Sequence, residues 1–106
     1  MTSDELFESI AVKLLSDEAI TRKKMFGSTG LSIGGKVFAL LVKGKLVVKL
    51  PRQRVGALVS SGLGEPFDPG HGRLMKEWMA VAATARDEWL NLAEEAREFV
   101  EADLGR

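Results

Sequence analysis

The stretch that decides the fold runs from Arg22 to Leu50 and reads RKKMFGSTGLSIGGKVFALLVKGKLVVKL. It predicts three β-strands joined by two tight turns, Gly34-Gly35 and Lys43-Gly44. The glycine pair tolerates positive φ at both positions, as a two-residue hairpin turn requires. The segment from Val37 to Val42 is apolar without a break. Such a run is typical of a strand that is buried on both faces, so the rest of the chain is expected to cover this sheet.

The two outer strands of this stretch have different patterns. The first is predicted over Thr21 to Phe26, and Gly27 and Gly30 interrupt it, so we expect a bulge or sharp bend there. The third strand alternates, with Leu46, Val48 and Leu50 on one face and Lys45, Val47 and Lys49 on the other. This alternation predicts one apolar face and one partly basic face.

Helical patterns lie on both sides of this stretch. Thr2 and Glu5 fit a capping box that begins a helix over about residues 3–16. Pro51 can open a short helix that ends near Gly62, and Thr84 is expected to cap the last helix. The apolar stripe predicted for the last helix consists of Trp89, Leu92, Ala93, Ala96, Phe99 and Val100.

Two further strands are predicted between the second and third helices. Glu65-Pro66-Phe67 predicts a short edge strand, and Leu74 to Ala82 predicts the last strand. In that strand, Met75, Met79 and Val81 are expected on one face and Lys76, Trp78 and Ala80 on the other. The sequence therefore predicts one α+β domain over residues 1–106. Its antiparallel sheet would have 4–5 strands with helices mostly on one face, in the order α-βββ-α-(β)β-α.

Composition excludes several classes of function. The chain has 106 residues, no cysteine and a single histidine, His71. Disulfides, thiolate metal sites, cysteine nucleophiles and a multi-histidine metal site within one chain are therefore excluded. The acidic start MTSDELFESI does not resemble a signal peptide, and no apolar run reaches the ~20 residues that cross a bilayer. We expect a cytoplasmic protein without a metal, a cofactor or a membrane partner.

The net charge is zero, but the charges are unevenly distributed. Residues 21–64 carry nine basic side chains and no acidic one, whereas residues 1–20 sum to −4 and residues 65–106 sum to −5. This layout predicts a basic sheet region and acidic terminal helices.

Motifs that suggest chemistry have plainer explanations. Residues 30–36, GLSIGGK, begin like a P-loop, but Val37 replaces the required hydroxyl and a strand follows where a helix is needed. Residues 27–30 spell the GxxG of KH domains, but strands flank them. His71 lies in a turn-rich loop with no partner evident in the sequence. We therefore predict no catalytic, cofactor-binding or metal-ligating residue, and no enzyme.

The basic stretch is the feature that favours a binding function. The predicted contacts to nucleic acid or to a protein partner are Lys43, Lys45, Lys49, Arg52 and Arg54. A basic hairpin can follow phosphates. Alternatively, the lysines protect sheet edges against aggregation. In a third reading, the basic sheet of one copy meets the acidic helices of another copy or of a partner protein.

Arg22 to Leu41 resembles the opening of the TfoX/Sxy N-terminal domain family. The residues that carry the resemblance are Lys24-Met25-Phe26-Gly27, Gly30-Leu31, Gly35-Lys36 and Phe38-Ala39-Leu40. Glu65-Pro66-Phe67 and the strand around Trp78 match the later course of the family, so the resemblance covers nearly the whole chain. Ser28 and Thr29 depart from it, since they stand where a glycine and an aromatic residue are usual.

The resemblance implies a regulatory role like that of the N-terminal domain of competence regulators. Because the chain ends at Arg106, it is similar to the stand-alone members of the family. The expected function is a non-enzymatic regulatory or protein-interaction domain that binds a protein partner or self-associates, for instance as a homodimer. The alternative is a nucleic-acid-binding module that uses the basic hairpin and the start of the following helix. An enzyme or small-ligand binder is a third hypothesis.

Overall fold

Six strands and three α-helices are observed in the computed structural model, which describes residues 1–70, 72 and 75–105. The strands pair antiparallel in the order β1-β2-β3-β4-β6-β5. In chain order, the elements are α1 Ser3–Leu14, β1 Ile20–Met25, β2 Ser28–Ile33, β3 Lys36–Val42, β4 Lys45–Lys49, α2 Arg52–Ser60, β5 Glu65–Phe67, β6 Met75–Val81, a 3-10 helix Ala83–Glu88 and α3 Trp89–Leu104. The predicted fold class and element order are confirmed.

The β1–β2 hairpin is the main correction to the predicted strands. The sequence suggested one bent strand around Gly27, whereas Phe26-Gly27 forms a tight turn with φ values of 53° and 76°. The stretch therefore holds four strands rather than three, and the sheet has six rather than 4–5. The turn was missed because a bulky residue rarely adopts positive φ. The predicted turns Gly34-Gly35 and Lys43-Gly44 are confirmed, again with positive φ at both positions.

Strand β3 lies inside the sheet, as its apolar sequence predicted. Residues 37–40 are buried, and Leu41 and Val42 are half-buried. Ala39 pairs with Leu31 and Val37 pairs with Ser32, so Phe38 is the extra residue of a β-bulge. The bulge allows Phe38 and Ala39 to bury their side chains in the same cluster.

The helices pack against one face of the sheet, which we call the helical face. The buried side chains of α1, α2 and α3 form one cluster with Leu46, Val48 and other residues of this face. The predicted capping box is present, with Thr2 N donating to Glu5 Oε1 (2.8 Å) and Glu5 N donating to Thr2 Oγ1 (3.1 Å). Thr84 does not cap α3, because it lies inside the 3-10 helix.

The last strand needs a second correction. Met75 packs with Trp78 and Ala80, not with Met79 and Val81 as predicted. The reason is a register shift between β5 and β6, which places Phe67 opposite Met75. The predicted start of this strand at Leu74, and the loop histidine His71, lie outside the described residues.

Candidate interaction surface

The second face of the sheet, which we call the outer face, carries its own apolar cluster. Its buried members are Val37, Leu40, Val47, Phe67, Trp78 and Ala80. None of the three helices in the described part of the chain buries residues in this cluster. Side chains from turns and strand ends cover it instead, namely Met25, Phe26, Val42 and Met75, which are all half-buried.

An aromatic cluster crosses the middle of the outer face. The ring centroid of Phe26 lies 5.2 Å from that of Phe67 and 5.6 Å from that of Trp78, in an edge-on contact with the tryptophan. The backbone of Phe26 is held at φ 53°, a conformation that costs a non-glycine residue about 1–2 kcal/mol. The aromatic contacts offset this strain, because such pairs contribute about 0.5–1.5 kcal/mol each beyond burial.

Three open hollows lie on the outer face, and the smallest, of about 320 Å³, is lined by Lys49, Met75, Lys76, Glu77 and Trp78. The largest, which we call the mixed-charge hollow, has a volume of about 530 Å³. It is lined by Phe26, Val42, Lys43, Lys45, Val47, Glu65, Pro66, Phe67, Asp68, Pro69 and Ala80. Lys45 forms an ion pair with Glu65 across the ends of β4 and β5, so basic and acidic groups balance at this hollow.

The second, which we call the cationic hollow, has a volume of about 420 Å³. Its described lining residues are Lys23, Lys24, Met25, Gly35, Lys36, Val37, Lys49, Met75 and Trp78, and none of them is acidic. Lys49 Nζ lies 5.9 Å from the centroid of the Trp78 ring, within cation–π range. Lys23 Nζ donates to the carbonyl oxygen of Gly35.

The structure brings together some of the predicted contact residues and separates others. Lys45 and Lys49 lie on the outer face of β4, and Lys43 lies in the turn before it. Arg52 lies at the start of α2, where it lines a different hollow with Lys76.

Arg54 is turned towards the helices. Its Nε and Nη2 donate to the two carboxylate oxygens of Glu95 on α3, at 2.7 and 3.1 Å. These hydrogen bonds, and the charge of Glu95, raise the pKa of the Arg54 guanidinium above its ordinary value. Arg54 therefore tethers α2 to α3 and is engaged within the chain.

Lys23 is the residue that the sequence reasoning missed. In the edge strand β1 it pairs with Gly30, and from this edge it contributes to the cationic hollow. The alternation of β1 contained the signal, because it places Lys23 on the face opposite to Arg22. Arg22 confirms this geometry, since it forms an ion pair with Glu8 of α1 on the helical face, at 2.6 Å.

The described part of the chain has neither a cluster of metal ligands nor a membrane-spanning helix. No group of three His, Cys, Asp or Glu side chains there could hold a metal ion. Within the same residues, every helix is too short or too polar to span a membrane.

The fold and surface define a small α+β domain whose described helices all pack against the same face of an antiparallel sheet. The protein belongs to the TfoX N-terminal domain family, which matches residues 13–102 and therefore most of the chain. The resemblance carried by the MFG and FAL segments is thus confirmed. A comparison with curated proteins gives no match.

Proposed function

We propose that this protein is a non-enzymatic regulatory domain that binds another protein through the outer face of its sheet. The observation that carries the proposal is the uneven cover of this sheet. Its inner strands have apolar residues on both faces, but the described helices pack on the helical face alone. Membership of the TfoX N-terminal domain family supports a competence-regulator-like role.

The outer face has the mixture of groups that protein interfaces use. Its hollows combine aromatic and methionine side chains with lysines at their rims. Interfaces are enriched in aromatic residues and methionine near their centres and are polar at their rims. The described lining of the mixed-charge and cationic hollows consists of apolar residues, lysines and two carboxylates, which supports binding rather than acid–base chemistry.

A matched pair of valine substitutions tests the proposal. Val42 lines the mixed-charge hollow, whereas Val12 lies on the opposite side of the molecule, on α1, with 63% of its surface exposed. Tagged wild-type protein, Val42→Glu and Val12→Glu would each be used to capture partners from a lysate of the source cells. We expect a protein that binds the wild type and Val12→Glu but not Val42→Glu. Equal capture by all three proteins would contradict docking on the outer face.

Sedimentation velocity separates a foreign partner from a second copy. If the partner is another copy of this chain, the wild type and Val12→Glu will sediment as dimers at high micromolar concentration and Val42→Glu as a monomer. A monomer for all three proteins, together with no Val42-dependent capture, would overturn the proposal.

A nucleic-acid-binding role is the second candidate. It is favoured by the placement of Lys43, Lys45 and Lys49 along β4 and its preceding turn, where they follow one line on the outer face. Phosphate contacts of this kind give an affinity that falls steeply with salt. Fluorescence anisotropy with labelled DNA and RNA at low salt tests it, and the absence of binding there would eliminate this candidate.

A further inference from the structure

Resting on the proposed function, we propose that the cationic hollow binds a carboxylate-rich segment of a partner protein that also carries an apolar side chain. The hollow crosses the outer face from β1 to β6, and its described lining contains four lysines and no acid. Two of the lysines, Lys23 and Lys49, come from opposite sides of the hollow. The recognised chemistry is therefore a row of carboxylates with an apolar anchor between them.

The electrostatics of the hollow favour an anionic occupant. Lys49 has no ion pair with any described residue, and its ammonium lies over the Trp78 ring. Lys23 is bonded to a backbone carbonyl oxygen, which leaves its charge uncompensated. Lys36 is the exception, since Asp103 lies 3.7 Å from its Nζ. Carboxylates beside Lys23 and beside Lys49 would gain charge-assisted hydrogen bonds, which are about twice as strong as neutral ones.

The floor of the hollow favours an apolar group beside the charge. It is formed by Met25, Val37, Met75 and Trp78, and both methionines are half-buried. Methionine adapts its shape to irregular partners, and it is over-used at binding surfaces that must repack. An occupant with carboxylates alone would leave these apolar side chains in contact with water.

The same lysines argue against a second sheet as the occupant. Two copies packed with their cationic hollows in contact would bring Lys23 and Lys49 of each copy against the same residues of the other. Like charges brought together in this way cost several kcal/mol, so we do not expect the cationic hollow to bind the same hollow of a second copy. A partner with the opposite charge removes this cost.

The aromatic residues argue against a single-stranded nucleic acid. Proteins that bind such strands stack bases on open aromatic rings. Trp78 is only 4% exposed, one of its faces lies beneath Lys49, and Phe26 makes a T-shaped contact with it. The hollow therefore offers no bare ring for a base.

The two tryptophans provide a built-in readout. Trp78 lies in the cationic hollow, whereas Trp89 is fully buried on the helical face with its Nε1 donating to the carbonyl oxygen of Ala82 (3.1 Å). In an NMR spectrum of ¹⁵N-labelled protein, their indole N–H groups give two signals that single Trp→Phe variants assign. The probes are a short synthetic peptide of glutamate and leucine, a matched peptide of lysine and leucine, a matched peptide of glutamate and serine, and a DNA oligonucleotide.

We expect the glutamate–leucine peptide to shift the Trp78 signal at low salt and to leave the Trp89 signal in place. Lys49→Glu and Lys23→Glu should each weaken this peptide at least about tenfold, which corresponds to about 1.4 kcal/mol. Lys13→Glu, on the exposed side of α1, is the matched charge reversal and should change the affinity less than about twofold. A dispersed spectrum of each variant shows that it is folded, and Lys49→Gln repeats the test without reversing the charge.

The remaining outcomes overturn the inference. They are an unmoved Trp78 signal, equal binding of the lysine–leucine peptide, equal binding of the glutamate–serine peptide, or tighter binding of the oligonucleotide. If one of them occurs while Val42→Glu still abolishes partner capture, the acidic occupant is wrong and the proposed function stands. If the peptide result fails and Val42→Glu also captures the same partners as the wild type, the proposed function is wrong as well.

Discussion

At the scale of single residues, Gly30 shows how closely β2 and β3 approach each other. A Cβ atom at this position would lie 2.6 Å from the carbonyl oxygen of Ala39 and 2.8 Å from Cβ of Leu40. These neighbours belong to the inner strand of the sheet and cannot move independently of it. We expect Gly30→Ala to lower the free energy of unfolding by about 1–3 kcal/mol, as overpacking does. Urea denaturation measures the change.

Gly56 is the matched control for this substitution. It lies inside α2, and a Cβ atom built there would meet nothing within 4 Å. Glycine within a helix costs about 0.5–1 kcal/mol relative to alanine, so Gly56→Ala should stabilise the protein by that amount. If both substitutions changed stability in the same direction, the close approach of β2 and β3 at Gly30 would not explain the effect of Gly30→Ala.

Phe26 marks the limit of what the sequence could predict at this scale. The turn at Phe26-Gly27 was missed because local preference disfavours phenylalanine at φ 53°. The conformation is compensated by contacts with Phe67 and Trp78, which are distant in sequence. The shared face of Lys45 and Lys49 was predicted because strand alternation needs only local information. Their partners, such as Glu65, depend on the strand order.

At the scale of elements, α3 is the helix that most completely covers the helical face. Its predicted apolar stripe is confirmed, with Trp89, Leu92, Ala93, Ala96 and Val100 buried and Phe99 half-buried. Trp89→Ala should lower the free energy of unfolding by about 3–5 kcal/mol, because it removes a fully buried ring and a hydrogen bond. Glu98→Ala, on the exposed side of the same helix, should stay within about 0.5 kcal/mol. A loss below about 1 kcal/mol for Trp89→Ala would mean that the ring contributes little to the core.

The segment after α1 is connected to α3 by charge. The backbone N–H of Ala19 donates to Asp17 at 2.9 Å, and Arg97 of α3 forms an ion pair with the same carboxylate. First the backbone hydrogen bond and then the charge of Arg97 hold the pKa of Asp17 below its ordinary value. The unfolded chain therefore binds more protons in acid than the folded chain, and this contribution to stability is lost as the pH falls below about 4.

Asp17→Asn tests this linkage. Between about pH 5 and pH 3, the free energy of unfolding should fall less steeply in the variant than in the wild type. A residual slope is expected because the hydrogen bonds from Thr2 also lower the pKa of Glu5. Urea denaturation at several pH values gives both slopes, and identical slopes would contradict a role for Asp17.

At the scale of elements, the sequence correctly predicted the features that depend on local chemistry. The capping box, the two glycine-containing turns and the α3 stripe all depend on residues close together in the chain. The face of Met75 depends instead on a register shift between β5 and β6, and the bulge at Phe38 depends on how β2 pairs with β3. Such pairings are long-range packing results, and for this reason alternation alone gave Met75 the wrong face.

At the scale of the whole molecule, the two apolar clusters share the same strands. In β4, Leu46 and Val48 belong to the cluster of the helical face, whereas Val47 between them belongs to that of the outer face. Strands β3 and β6 likewise contribute residues to both clusters. Loss of one cluster removes the backbone that supports the other, so the protein should unfold in one cooperative step.

Single-tryptophan variants test this cooperativity. In Trp78→Phe, the remaining Trp89 reports the helical face, and in Trp89→Phe, Trp78 reports the outer face. Each variant has its own stability, so its fluorescence transition in urea is compared with its own far-UV circular dichroism transition. We expect the two transitions to coincide within each variant, because strands β3, β4 and β6 connect both clusters. If the fluorescence of Trp78 changed at a lower urea concentration than the circular dichroism, the outer face would open separately, and its cluster would be a weakly attached surface layer.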